Sequence, residues 1–220
     1  MFNQGSQRIG FILSHPIRRP LYSFLKKCNE SPLEKEVLDC GAGGSSPPLA
    51  LFYENGYKTH GIDISDEQLA LAEKFCQEFE IELDIVKGDM REIPFEDESI
   101  SFVYSINTIV HLSKIDTIIA LKEIERVLKP TGLLYVNFAS IERADCGHGR
   151  ELNRGEWLRV LDNGKKIFHS FYEDDEPDRY FDHFEIIQKE KRIITLPISK
   201  ISRGRSGWQG ADIGYIARKT

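Results

Sequence analysis

Between residues 36 and 138 the chain repeats one pattern: a short apolar run, a turn, then a segment whose apolar residues recur every three or four positions. The apolar runs at 36–40, 59–63, 81–87, 100–106 and 132–138 have the length of strands. The segments at 47–55, 65–80 and 114–129 have helical spacing. Each helical segment carries its own boundary signal. Gly56 stands where a C-terminal glycine belongs. Ser65-Asp66-Glu67-Gln68 forms a capping box ahead of Leu69, Ala72, Phe75, Cys76 and Phe79 on one face. Pro130 stops the third helix after Ile118, Leu121, Ile124, Val127 and Leu128. Strands separated by helices need crossover connections, so they pair in parallel and are covered on both faces. The expected fold class is α/β, a Rossmann-like doubly wound sheet that is mostly parallel.

The flanks read differently. Residues 157–161 and 165–171 predict a β-hairpin across Asn163-Gly164, inserted after strand five. The acidic stretch 173–180 reads as the beginning of a helix. Residues 184–196 and 213–218 read as two further strands joined by a loop at 204–210, the last of them antiparallel. Ahead of the first strand, residues 16–28 predict an amphipathic helix with proline in its first turn.

Composition narrows the functional classes. With 40% hydrophobic residues in 220, the chain can bury the core of one domain. A net charge of −6 gives no global attraction for nucleic acid or for an anionic membrane surface. Cys28, Cys40, Cys76 and Cys146 form no CxxC or Cys/His cluster, so no metal site is expected and free thiols are the simple reading. No apolar run approaches the roughly 18 residues of a membrane span, and the first residues lack the layout of a secretory leader. These features predict a cytoplasmic protein.

The chemistry concentrates at strand ends. Val37-Leu38-Asp39-Cys40-Gly41-Ala42-Gly43-Gly44-Ser45 closes the first strand on a glycine-rich turn, where backbone can approach a ligand and the next helix offers unpaired N–H groups. Alone, such a turn is weak evidence, since it also serves as a tight connection with no ligand. Asp63, 24 residues after Asp39, ends the second strand, where a carboxylate can accept two hydrogen bonds from a ribose diol. Asp89 follows the third strand, within reach of an adenine amine, and Met90 offers a polarizable surface for the ring. Singly, each acid reads as a cap or a solvated turn. Three at successive strand ends point to a nucleoside.

On these residues the chain resembles the class I S-adenosylmethionine-dependent methyltransferases, over about residues 36–139. Val37 to Gly43 resembles the family's first motif, and Gly61-Ile62-Asp63-Ile64-Ser65 its second. Gly88-Asp89-Met90 with Ile93-Pro94-Phe95 resembles the third. Ser101-Phe102-Val103-Tyr104-Ser105 through His111-Leu112 resembles the fourth, and Leu121 to Gly132 the passage into strand five. The family also ends in an antiparallel hairpin, and the likeness is greatest to its small-molecule branch.

The resemblance implies S-adenosylmethionine as cofactor and a small-molecule methyl acceptor as partner, in a monomer or homodimer without nucleic acid or membrane. It places Asp39, Gly41 and Gly43 beside the methionine part and Asp63 on the ribose. Ile64 would pack on the adenine, Asp89 and Met90 would read its edge, and Ser105 would lie near the sulfur. Two positions depart from the family: Ser45 where a third glycine is common, and Ser101 where an acid often opens strand four. The implied layout is one domain over residues 1–220. It comprises an N-terminal helical lid (1–35), a cofactor-binding core (36–139), an acceptor-side insertion (140–183) and a C-terminal hairpin (184–220).

Transfer from a sulfonium needs little more than alignment, to which a general base adds about 10²–10⁴-fold for a hydroxyl or protonated amine. His111, which follows strand four, is the candidate; a role in packing the next helix is the equal alternative. His148, His169 and His183 fall in the acceptor-facing region but read as structural or solvated. Tyr22, Arg150, Trp157 and Tyr172 are candidates to line the acceptor pocket or the core. A nicotinamide oxidoreductase shares the glycine turn and the downstream acid, but lacks here the third glycine of G-x-G-x-x-G and leaves Asp89 without a role. A binding domain without catalysis remains a further reading. Base methylation of nucleic acid is disfavoured, because 105–108 read Ser-Ile-Asn-Thr in place of an Asn/Asp-Pro-Pro-aromatic stretch.

Overall fold

The computed structural model describes residues 19–195 and 209–220. It begins with helix α1 (Arg19–Glu30), which buries Leu21, Phe24, Leu25 and Cys28 along one face. Then β1 (Glu36–Cys40), α2 (Ala50–Glu54), β2 (Lys58–Asp63), α3 (Asp66–Phe79), β3 (Ile85–Lys87), β4 (Ile100–Ser105), α4 (Lys114–Val127) and β5 (Leu128–Ser140) alternate as the periodicity predicts. The pairs β1–β2, β2–β3, β1–β4 and β4–β5 are all parallel. β10 (Gln209–Lys219) lies antiparallel on β5, and β9 (Phe184–Thr195) antiparallel on β10. The order across the sheet is therefore β3-β2-β1-β4-β5-β10-β9, the doubly wound arrangement expected, with an antiparallel edge.

Alternation along the strands sends side chains to two separate cores. Val37, Phe102, Tyr104, Leu133 and Tyr135 face α1, α2 and Phe75 of α3. Leu38, Val103, Leu134, Val136 and Phe138 face Ala120, Leu121, Ile124 and Val127 of α4. On the first face Phe24 lies 6.1 Å from Phe52, 6.3 Å from Tyr104 and 6.0 Å from Tyr135, centroid to centroid, so one aromatic side chain anchors α1 to the sheet.

The insertion is a three-stranded meander: β6 (Arg150–Asn153), β7 (Glu156–Val160) and β8 (Lys166–Tyr172), paired antiparallel. The Asn-Gly hairpin joins β7 to β8. β6 carried no signal in the sequence, because all four of its residues are exposed and nothing alternates. β8 then pairs in parallel with the end of β5, Ala139 with Phe171 and Ser140 with Tyr172. Ala139 also pairs with Asp212 of β10. The other side of β5 must therefore receive β8, and that is the side β4 leaves after Ser105 meets Val136. The meander continues the lane of β4 beyond its carboxyl end.

Several boundaries differ from expectation, among them β10, which starts at Gln209 where the strand was expected from 213. Strand three starts at Ile85, because Asp84 takes a left-handed φ of 48° and turns the chain first. α2 keeps only residues 50–54 of the expected 47–55, and β5 starts at Leu128, directly after α4. Residues 173–180 yield only a 3₁₀ turn, Glu176–Tyr180. The expected start of the first helix at 16–18 and most of the loop at 204–210 lie outside the described residues.

Candidate active site

Asp39 lies near the end of β1, Asp63 ends β2, Asp89 follows β3 by two residues and Ser105 ends β4. Since the strands lie in the order β3-β2-β1-β4, these side chains belong to four neighbouring carboxyl termini in the sequence Asp89, Asp63, Asp39, Ser105. With strands 4.7–4.9 Å apart the row spans about 14 Å. Asp39 is fully buried, in register with Gly61 on one side and Tyr104 on the other. Burial, and then the Asp39 charge, holds the Cys40 thiol well above its ordinary range, so that sulfur is inert.

Asp63 organises the turn. Its Oδ2 accepts from the Gly43 N–H at 2.9 Å and its Oδ1 from the Ser65 N–H at 2.9 Å. A carboxylate has about four acceptor positions, so each oxygen retains one for a diol. The glycine at 43 is required for this contact: a Cβ there would lie 2.5 Å from both Asp63 Oδ2 and Gln68 Cβ. Gly41, at φ +111°, is required differently, since a Cβ would fall 2.0 Å from Thr108 Oγ1 of the β4–α4 connection. The β1 turn and the β4 turn close on each other through that missing side chain.

Asp89 is in another condition. Arg91 donates from Nε to both carboxylate oxygens, from Nη2 to Oδ2 at 2.6 Å and from its own N–H to Oδ1. Arg91 also reaches Asp116 on α4 at 3.2 Å. The guanidinium holds the Asp89 carboxyl below its usual range. Met90 is buried in the α4-side core, and Ile64 is 61% exposed beside Asp63. The Ser105 hydroxyl is fully buried and has no hydrogen-bond partner among the described residues, so it can serve a bound group.

Sequence reasoning missed a pair at the end of β4. Asn107 takes a left-handed φ of 57°. Its N–H donates to Asn137 Oδ1 at 2.8 Å, and Asn137 Nδ2 donates back to Asn107 Oδ1 at 2.9 Å. Asparagine tolerates this region, and that tolerance was the only available signal.

His111 sits in the 3₁₀ turn Ile109–His111, exposed, with Nδ1 3.1 Å from the Phe168 carbonyl of β8. A carbonyl oxygen only accepts, so Nδ1 carries the hydrogen and the neutral ring presents its lone pair at Nε2. The next residues are stitched to the meander too. The Ser170 hydroxyl donates to the Leu112 carbonyl at 2.6 Å, and the Lys114 N–H donates to Glu156 Oε1 at 2.6 Å. His148 lies on the loop leading into β6, His183 is exposed beside Glu125, and Tyr172 is fully buried.

Residues 38–136 match the family model described as "Methyltransferase domain". Over that segment the chain resembles the class I S-adenosylmethionine-dependent methyltransferases.

The cofactor of that family is S-adenosylmethionine. The chain is 34% identical over 138 residues to the sterol 24-C-methyltransferase of Saccharomyces cerevisiae, a match covering 60% of this chain and 35% of the yeast protein. It thus spans about a third of the length of that relative. Its fold is shared with a protein of Pyrococcus horikoshii OT3, at a TM-score of 0.70, 18% identity, and coverage of 95% of this chain and 93% of that one. A SAM-dependent methyltransferase of Methanosarcina mazei matches at a TM-score of 0.69 and 22% identity, covering 87% of this chain and 95% of that one. No helix among the described residues is long and apolar enough to cross a membrane, and no group of three or more His, Cys, Asp or Glu is placed to hold a metal.

Proposed function

We propose that the chain transfers the methyl group of S-adenosylmethionine to a small-molecule acceptor held between the end of β4 and the β6–β8 meander, in the cytoplasm. The observation that carries this reading is the row Asp89, Asp63, Asp39, Ser105 along four adjacent strand ends, with Asp63 keeping one acceptor position on each oxygen. Asp63 would hold the ribose diol and Ile64 would cover the adenine, whose edge Asp89 and Met90 would read. Asp39, Gly41 and Gly43 would flank the methionine part, with the Ser105 hydroxyl near the sulfur.

When bound, the cofactor supplies a methyl on a sulfonium that leaves as a neutral thioether without acid assistance. The chain's residues then have to align the acceptor and exclude water, a contribution of roughly 7–11 kcal/mol. His111, with its Nε2 lone pair, would take the proton that a hydroxyl or protonated amine gives up. Residues 140–183, which carry the meander, would line the acceptor side.

Calorimetric titration with S-adenosylhomocysteine and, separately, NADH tests the donor. Binding of the first alone is expected; binding of NADH alone, or of neither at millimolar concentration, overturns the reading. Labelled methyl from S-adenosylmethionine, offered against a metabolite extract and a sterol mixture, then identifies the acceptor.

A further inference from the structure

His169 lies on β8, one residue after the carbonyl that fixes His111. Its ring stands 4.9 Å from the His111 ring, centroid to centroid, at 36°. The Phe171 ring makes a T-shaped contact with His169 at 5.8 Å and 83°, and Trp157 of β7 is its cross-strand partner. His169 Nδ1 is 3.7 Å from Asp145 Oδ2, and Arg143 Nε is 2.8 Å from Asp145 Oδ1. The two imidazoles thus lie against each other, tilted, with His111 exposed and His169 half-buried.

We propose that His169 is a positioning residue: its neutral ring, clamped by β8, holds His111 in the Nδ1–H form and so presents Nε2 to the acceptor. The inference rests on the reading of His111 as the base. It follows from two constraints. First, an imidazole free in water prefers its proton on Nε2, so the reverse form at His111 needs both the Phe168 carbonyl and a surface that stops the ring turning away. The His169 face is that surface. Second, rings this close cannot both be charged cheaply, since two like charges at about 5 Å repel by several kcal/mol at a partly desolvated site. Every charged or titratable group facing His169 bears on which one stays neutral. Burial, then His111, then Arg143 and Arg159 oppose its charging, and Asp145 favours it. The net effect holds His169 down at about 4.

The test is long-range ¹H–¹⁵N NMR of the histidine rings in the full chain, with and without S-adenosylhomocysteine. In the wild type, neutral His111 should carry its hydrogen on Nδ1, and His169 should remain neutral down to about pH 4. His169→Phe, which keeps a ring face against His111, should preserve the Nδ1–H form. His169→Ala should move His111 to a majority Nε2–H form. Nε2–H at His111 in the wild type overturns the proposal, as does His169 titrating near 6.5, or a His111 tautomer indifferent to His169→Ala. Should His169→Ala fail to fold, the two wild-type observations and His169→Phe still decide. S-Adenosylhomocysteine binding measured by calorimetry on the same samples reports the donor site alone, so failure of the methyl-donor reading is seen separately.

Discussion

At the scale of single residues, Asp63 and Asp89 look equivalent in the sequence and differ in the structure. Asp63 spends one position per oxygen on backbone N–H groups and keeps the others; Asp89 has both oxygens engaged by three donors of Arg91. Asp63→Ala should therefore weaken S-adenosylhomocysteine binding, at about 1.5–3 kcal/mol for each bond to the charged group. Unchanged calorimetric affinity would remove Asp63 from the ribose. Gly43→Ala should do similar damage, because its Cβ would meet Asp63 Oδ2 at 2.5 Å. Gly56→Ala is the control: at φ +75° with nothing within 4 Å it strains only its own backbone, so stability falls and binding does not. The three acids were legible because strand ends are legible. The Arg91 clasp was not, since a guanidinium two residues away reaches its carboxylate only through the turn that follows β3.

At the scale of elements, the helices and parallel strands could be read because each buries one periodic face. The meander could be read only in part. The turn at Asn163-Gly164 announces a hairpin, but nothing in 166–172 says that its last residues pair with β5. Nor does Glu156 look special. Yet it is 5% exposed, accepts from the Lys114 N–H at the start of α4 and from Asn153 Nδ2 at 2.7 Å, and joins the meander to the helix that follows the site. A carboxylate at a helix N-terminus is also favoured by the helix dipole. Glu156→Ala should cost about 1–3 kcal/mol by leaving the Lys114 N–H without its partner. Hydrogen exchange should rise across 150–172 and at 111–114 while β1, β2 and β4 stay protected. Uniformly raised exchange would mean that Glu156 serves the whole fold instead.

At the scale of the molecule, two cores flank one sheet, and α1 belongs to one of them through Phe24. Phe24→Ala should cost about 3–5 kcal/mol, as other large aromatic truncations in cores do, and denaturant unfolding would measure it. Acid should act in two stages. His169 lies below its ordinary 6.5, so the native state binds fewer protons than the unfolded chain, and stability falls as pH drops from 6.5 towards 4. Asp89, held down by Arg91, Asp116, held down by Ser113 and then Arg91, and Glu123, held down by Arg126, add a second loss. Their folded values lie below the ordinary 3.8 and 4.5, so stability present above those values disappears as pH falls through them. The urea midpoint against pH should show both stages in the wild type and only the second in His169→Phe.

The lane of β4 is shared: its first part belongs to β4 itself and its continuation to β8, which is bonded edge to edge with the same β5. A cover built this way is not a door on a hinge, because swinging it would unzip part of the sheet. On the proposed reading an acceptor would come and go along its flanks, and size selection would be set by how wide those side openings are.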